Sequence, residues 1–282
     1  MRIFLLGGYD LEMVEIKKLL QKSNQKFYDK HLSWGAKLSD YADVLNDSDE
    51  FVAIELELDT NLPKHFIEID HHNQNSSNPS SLEQVAKLLG VELDRYQKLV
   101  AANDRGYIPE MKKLCVTEEE IQEIRAKDRV AQGVTDNDEE LAQKSIDEAK
   151  DEFIYSYSDK FSPISDRVWD TYSQYLIYNN KKILFYGYNL KSILSFLKQN
   201  GINQDDIYYG GGDNGFVGIK DSSLTYDDIQ KLVGKFQMQK NKEDNLYSYH
   251  TFMFPFIFDG EFIPKDDWDY QIFEIKETIP LI

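Results

Sequence analysis

The stretch FIEIDHHNQNSS sets an acid and two histidines, Asp70, His71 and His72, directly after an apolar run. Other acids fall at comparable places. Asp10 and Glu12 follow the run IFLL, Glu55 and Glu57 close FVAIELEL, and Asp104 precedes Gly106 at the end of a helical pattern. Any one of these is commonplace as a surface group or a helix cap. Together, chemically compatible groups end four successive elements, and carboxylates gathered in one place repel one another unless cations lie among them. Oxygen ligands with one or two imidazoles suit manganese or magnesium, manganese being the more tolerant of imidazole. Such ions activate water and neutralise a phosphoryl group, the chemistry of metal-assisted phosphoester hydrolysis.

An open α/β sheet gathers groups of this kind, because the carboxyl ends of its strands line one edge. Ile3 to Leu6, ended by Gly7 and Gly8, reads as a strand, and DLEMVEIKKLLQK as a helix by its apolar spacing. FVAIELEL and FIEID read as two more strands, joined by too few residues for an ordinary crossover helix. SSLEQVAKLLG carries a cap, helical spacing and a terminal Gly, and a further helix runs from about Asp94 to Asn103. From Thr117 to about Glu152 the chain is charged and helix-favouring, the pattern of two solvated helices connecting domains. Beyond it, KKILFYGY, NLKSILSFLKQNG, DDIYYGGGDNGFVGIK and LTYDDIQKLVGKF read as strand, helix, two strands around a glycine cluster, and helix. The tail is aromatic and strand-like, with Asp259-Gly260 as a turn. This organisation predicts an α/β protein of two domains: residues 1–125 with a mainly parallel sheet and flanking helices, a helical linker over 126–160, and a smaller α/β domain over 161–282.

Composition limits the partners. The 282 residues are 41% hydrophobic and 13% aromatic, enough to bury sizeable cores. A net charge of -18 repels a phosphate backbone, so long duplex nucleic acid is not an expected partner. Cys115 is the only cysteine, which excludes an internal disulfide and a cysteine-based structural zinc site and fits a reducing compartment. The start MRIFLLGGYD lacks the apolar core and cleavage site of a signal peptide, and no stretch reaches the roughly 20 apolar residues of a membrane span. The expectation is a cytoplasmic protein without a membrane partner.

Asp70-His71-His72, with an apolar strand before it and a polar loop after it, resembles the naming motif of the DHH phosphoesterase family. The order of acidic and histidine motifs, linker and glycine cluster carries the resemblance over nearly the whole chain, making residues 1–125 the DHH-like domain. By position, the resemblance implies metal ligands at Asp10, Glu12, Glu55, His71 and Asp104, with Glu57 and Asp59 as alternatives to Glu55. Asp70 and His72 would orient His71 and approach substrate or solvent, so Asp70, His71 and His72 form the implied catalytic group. The chain departs from the family in having Leu6 at the place of a ligating histidine and Glu12 at that of an aspartate. Gly210, Gly211 and Gly212 resemble the family's substrate-binding glycine cluster, with Asp213 replacing its histidine and Asn214 following. Arg105, beside Asp104, offers a fork of donors either to a phosphate oxygen or to a nearby acid.

The resemblance implies a phosphoesterase holding one or two Mn2+ or Mg2+ ions. Its substrate would be a phosphodiester in a short single-stranded oligonucleotide, a dinucleotide or a nucleotide-like molecule. The alternative is a degenerate family member that binds metal or nucleotide without turnover, as a regulatory or interaction module; Leu6, Glu12 and Asp213 favour it. An inorganic pyrophosphatase is a third reading, against which stand Leu6 and the lack of an obvious Lys/Arg cluster.

Overall fold

The structure, a computed structural model, describes residues 1–282 except 34, 73–74, 189, 211–213, 221–222, 252–256, 259–260 and 263–282. Residues 1–230 form one compact unit and residues 231–282 a second. The first unit opens with β1 (Arg2–Leu6), α1 (Leu11–Lys22), β2 (Lys26–Asp29), β3 (Glu50–Ile54), β4 (His65–Ile69), α2 (Ser81–Leu89) and α3 (Arg95–Lys112). The four strands form a wholly parallel sheet in the order β2-β1-β3-β4.

The two central strands are buried on both faces, which is why they read as continuous apolar runs. Phe4, Leu6, Val52 and Ile54 point into a core shared with α1, α2 and α3, whereas Ile3, Leu5, Phe51 and Ala53 pack against Leu38 and Tyr41 on the other face. The chain passes from β3 to the parallel β4 through residues 55–64 with no helix. β3 is also shorter than FVAIELEL predicts. Glu55 turns into the left-handed region at φ 54°, which ends the extended run, and Glu57 makes only an isolated bridge to Lys37.

Two helices follow where charged solvated ones are expected, α4 (Glu118–Ala131) and α5 (Asp136–Glu148). α4 is not solvated all round: Ile121, Ile124, Arg125 and Asp128 are buried. Its charged residues include a salt-bridged set on the inner face, which composition cannot separate from the outer one. Next come β5 (Phe153–Tyr155), α6 (Ser162–Val168), β6 (Gln174–Tyr178), β7 (Ile183–Tyr188), α7 (Leu190–Gln199), β8 (Ile207–Gly210) and β9 (Asn214–Ile219). A second sheet takes the order β5-β6-β7-β9-β8, parallel only between β5 and β6. The expected strand pair around the glycine cluster is β8 and β9, antiparallel; Gly211, Gly212 and Asp213 lie outside the described residues. α8 (Tyr226–Thr251) extends well past the helix expected at LTYDDIQKLVGKF. In the second unit β10 (Ile257–Phe258) pairs antiparallel with β11 (Glu261–Phe262), and the turn assigned to Asp259 and Gly260 falls outside the described residues. Among the described residues no helix is long and apolar enough to cross a membrane.

Candidate metal centre

The centre is assembled at the carboxyl edge of the parallel sheet. After β1 the chain turns through Gly7 and enters α1, whose cap is Asp10: its Oδ1 accepts the Met13 amide at 2.8 Å. Glu12, in the first helical turn, is where the helix dipole favours a carboxylate. One of its oxygens, Oε1, accepts the Leu82 amide at the start of α2 at 3.0 Å. The other points into the centre.

Glu55 follows β3 directly. Its amide donates to Ile69 O at 2.9 Å, so the bend at Glu55 is tied to the end of β4. The ends of β1 and β3 approach so closely that a Cβ on Gly7 would lie 2.3 Å from Glu55 O, which only glycine avoids. Asp70 and His71 come immediately after β4. Asp104 comes from α3, just before the helix breaks at Gly106 and Tyr107. Pro109 accounts for part of that break, since it lacks an amide for the carbonyl of residue 105 and its ring would crowd it. Tyr107 sits at φ 61° and ψ -152°, a costly conformation for a bulky residue. It is held there by a hydrogen bond from its hydroxyl to Asp166 Oδ1 at 2.5 Å and by Arg125 stacked 4.5 Å over its ring.

His71 Nε2 lies 2.5 Å from Asp104 Oδ2, 3.5 Å from Glu55 Oε1 and 3.6 Å from Glu12 Oε2. The approach is close but not aligned as hydrogen bonds, and all four of these buried atoms lack a hydrogen-bond partner. The side chains of Glu12, His71 and Glu55 are only 1%, 5% and 9% exposed. Buried polar atoms are otherwise almost always paired, and orphaned carboxylate oxygens are costly. As part of a coordination shell the four atoms are accounted for: three oxygens and one imidazole nitrogen converging on a point fit a divalent cation of the manganese or magnesium kind. One donor atom each from Glu55, His71, His72 and Asp104 also lies within 4.8 Å of the others.

Protonation follows the same deficit of positive charge. Burial pulls the His71 imidazole down, but Asp104, Glu55 and Glu12 outweigh it and push it up to about 12. Burial likewise raises Asp104, yet His71 holds it down at about 2. Glu12 and Asp10 are both pushed well up, first by burial and then by Asp104 and Glu55.

The other residues singled out by sequence take separate positions. Asp70 accepts the His72 amide at 3.1 Å, pairs with His72 Nδ1 at 3.0 Å and accepts from Asn75 at 2.9 Å. It therefore orients His72, whose ring centroid lies 4.4 Å from that of His71. Arg105 is tied to Glu83 at 2.6 Å and Glu110 at 2.9 Å. Leu6 is 1% exposed and packs in the core. Glu57 and Asp59 are exposed, and Asp59 accepts from Ser39. Gly210 is the buried end of β8 and Asn214 the start of β9.

Sequence reasoning missed a second buried set beside the centre. Arg125 pairs with Asp128 at 2.7 Å and Asp166 at 2.8 Å and donates to Asn103 at 2.9 Å, while Arg129 also pairs with Asp166. Asp128 in turn accepts the Leu11 amide at 3.3 Å, joining α4 to the start of α1. No short-range pattern marks these residues, whose partners lie up to 117 positions away.

No protein-family model matches the sequence, and no curated protein matches it. Among solved structures, the chain is similar to RecJ from Thermus thermophilus in complex with Mn2+, at 10% identity and a TM-score of 0.44 over 83% of this chain and 52% of that one. It is similar also to the same protein in complex with Mg2+, at 12% identity and a TM-score of 0.42 over 83% and 49%. The chain thus spans about half the length of the structures it matches.

Proposed function

We propose that the chain is a metal-dependent phosphoesterase of the DHH type. The observation that carries this reading is the convergence of four buried atoms that find no hydrogen-bond partner, Glu12 Oε2, Glu55 Oε1, His71 Nε2 and Asp104 Oδ2, in a sequence that also holds Asp70-His71-His72. These residues would hold Mn2+ or Mg2+. A bound divalent cation supplies charge neutralisation and Lewis acidity toward a phosphoryl oxygen. The chain's own contribution is positional: Glu12 and Asp104 are fixed by helix ends, Glu55 by its bend and His71 by β4. His72, oriented by Asp70 and 23% exposed, can hold or move a proton at Nε2 at the rim of the centre. Residues 161–282, with Gly210 to Asn214, are the proposed substrate-binding part, and a net charge of -18 favours a small or single-stranded phosphodiester over a duplex.

A second reading, a binding module without turnover, draws support from Leu6, which fills core space where the DHH resemblance expects a ligand, and from Arg105, which already pairs with two carboxylates. Release of 5′-nucleotide from a short single-stranded oligonucleotide and from a linear dinucleotide, with Mn2+ and with His71→Ala alongside, separates the two. Cleavage by the unmutated chain alone is the expected result. Metal binding with no cleavage of either substrate would favour the module.

A further inference from the structure

Asp104 sits in the last regular turn of α3 before the break at Gly106 and Tyr107. The end of a helix frays unless something outside it takes hold, and here the residues on both sides of Asp104 are held. Before it, Asn103 Oδ1 accepts Arg125 Nη1 at 2.9 Å. After it, the Tyr107 hydroxyl donates to Asp166 Oδ1 at 2.5 Å. Asp166 is fixed in turn by Arg125, at 2.8 Å, and by Arg129. It belongs to α6, whereas Glu12, Glu55, His71 and Asp104 all fall within residues 1–125.

The backbone of Tyr107 requires this hold. Its φ of 61° and ψ of -152° lie in a region that glycine enters and bulky residues leave when nothing restrains them. Pro109 stops the helix and restricts Ile108, the residue before it, but it does not call for that conformation at Tyr107. The side chain supplies the restraint, with its hydroxyl on Asp166, its ring 4.5 Å beneath Arg125 and its edge 5.7 Å from the Tyr186 ring. Strain kept in place by surrounding bonds is characteristic of sites whose geometry matters.

We propose that the Tyr107–Asp166 hydrogen bond positions Asp104. It holds the broken end of α3 in the form that brings Asp104 Oδ2 against His71 Nε2, so that a residue of α6 sets the geometry of a centre whose ligands all come from earlier in the chain. Tyr107 and Asp166 are positioning residues, and the proposal rests on the metal-binding reading of that centre.

Tyr107→Phe in the full chain is the test. It removes one hydroxyl and strands no charge, because Asp166 keeps both arginines. Stripped of metal and titrated with Mn2+ by calorimetry, Tyr107→Phe should bind about tenfold more weakly than the unmutated chain. The electron paramagnetic resonance spectrum of its bound Mn2+ should change as well, since a displaced ligand alters the field at the ion. Ile3→Val serves as the control: Ile3 packs with Leu38 and Tyr41 on the opposite face of the first sheet, so its truncation should lower the melting temperature while affinity and spectrum stay as in the unmutated chain. Unchanged affinity and spectrum in Tyr107→Phe, or an equal weakening in Ile3→Val, overturns the positioning role and leaves the metal-dependent reading standing. No Mn2+ binding by the unmutated chain overturns both.

Discussion

Two buried clusters of charge lie side by side in this protein, and only one is finished. Around Arg125, two aspartates, two arginines, Asn103 and Tyr107 form ion pairs and hydrogen bonds that complete one another. Around His71, three carboxylates face one imidazole, and four atoms find no hydrogen-bond partner. Burial is comparable: the Arg125 and Asp166 side chains are 7% and 8% exposed, those of His71 and Glu55 5% and 9%. Burial therefore does not distinguish a completed ion-pair cluster from a candidate binding centre. Completion does, because an incomplete cluster is stable only if something else supplies the missing charge.

The sharpest way to break the comparison is to remove the cation from the finished cluster. Arg125→Met leaves Asp128 and Asp166 short of a partner and should cost about 3–5 kcal/mol in denaturant unfolding. A loss well below that would place the Arg125 cluster in the same unfinished class as the His71 cluster. Next in size, Mn2+ should stabilise the unmutated chain by about 2.7 kcal/mol at a free concentration 100-fold above its dissociation constant. Thermal melts with and without Mn2+ measure this, and His71→Ala should show no such rise. A smaller effect is expected from Glu55→Asn in the metal-free protein. It removes one repelling carboxylate and puts a residue tolerant of the left-handed region at φ 54°, so stability should increase by about 1 kcal/mol while the response to Mn2+ is lost. The smallest change belongs to Arg105→Gln. Arg105 lies between Glu83 and Glu110 and is 31% exposed, so less than about 1 kcal/mol should go, with the Mn2+ response kept.

What can be read in the sequence is what local order records. Strand ends show as apolar runs followed by acids, and the carboxyl edge of a sheet gathers whatever follows its strands; Glu12, Glu55 and His71 stand out as candidates for that reason, and Asp104 because it precedes Gly106 at the end of a helical pattern. A central strand buried on both faces, such as Ile3 to Leu6, announces itself by continuity. β2 does not, because Lys26–Asp29 is four residues at the sheet edge with no buried member. The parallel pairing of β3 and β4 without a helix is equally hidden, since nothing local says how a loop returns. Whether an acid is free or engaged is a matter of distant partners. Asp10 looks like Glu12 in the sequence, yet the amide that engages Asp10 is that of Met13, within its own helix, while the one that engages Glu12 is that of Leu82, 70 positions on. Arg125 looks like any other charge on a solvated helix until Asp166, 41 positions on, is placed against it.

Gly7 carries no donor side chain and bears no charge, yet the meeting of β1 with Glu55 forbids it any side chain. A side chain at position 7 would have to displace the main chain at Glu55, so a change there would disturb the acid without touching it, through the crowding of two strand ends and not through a step in any reaction.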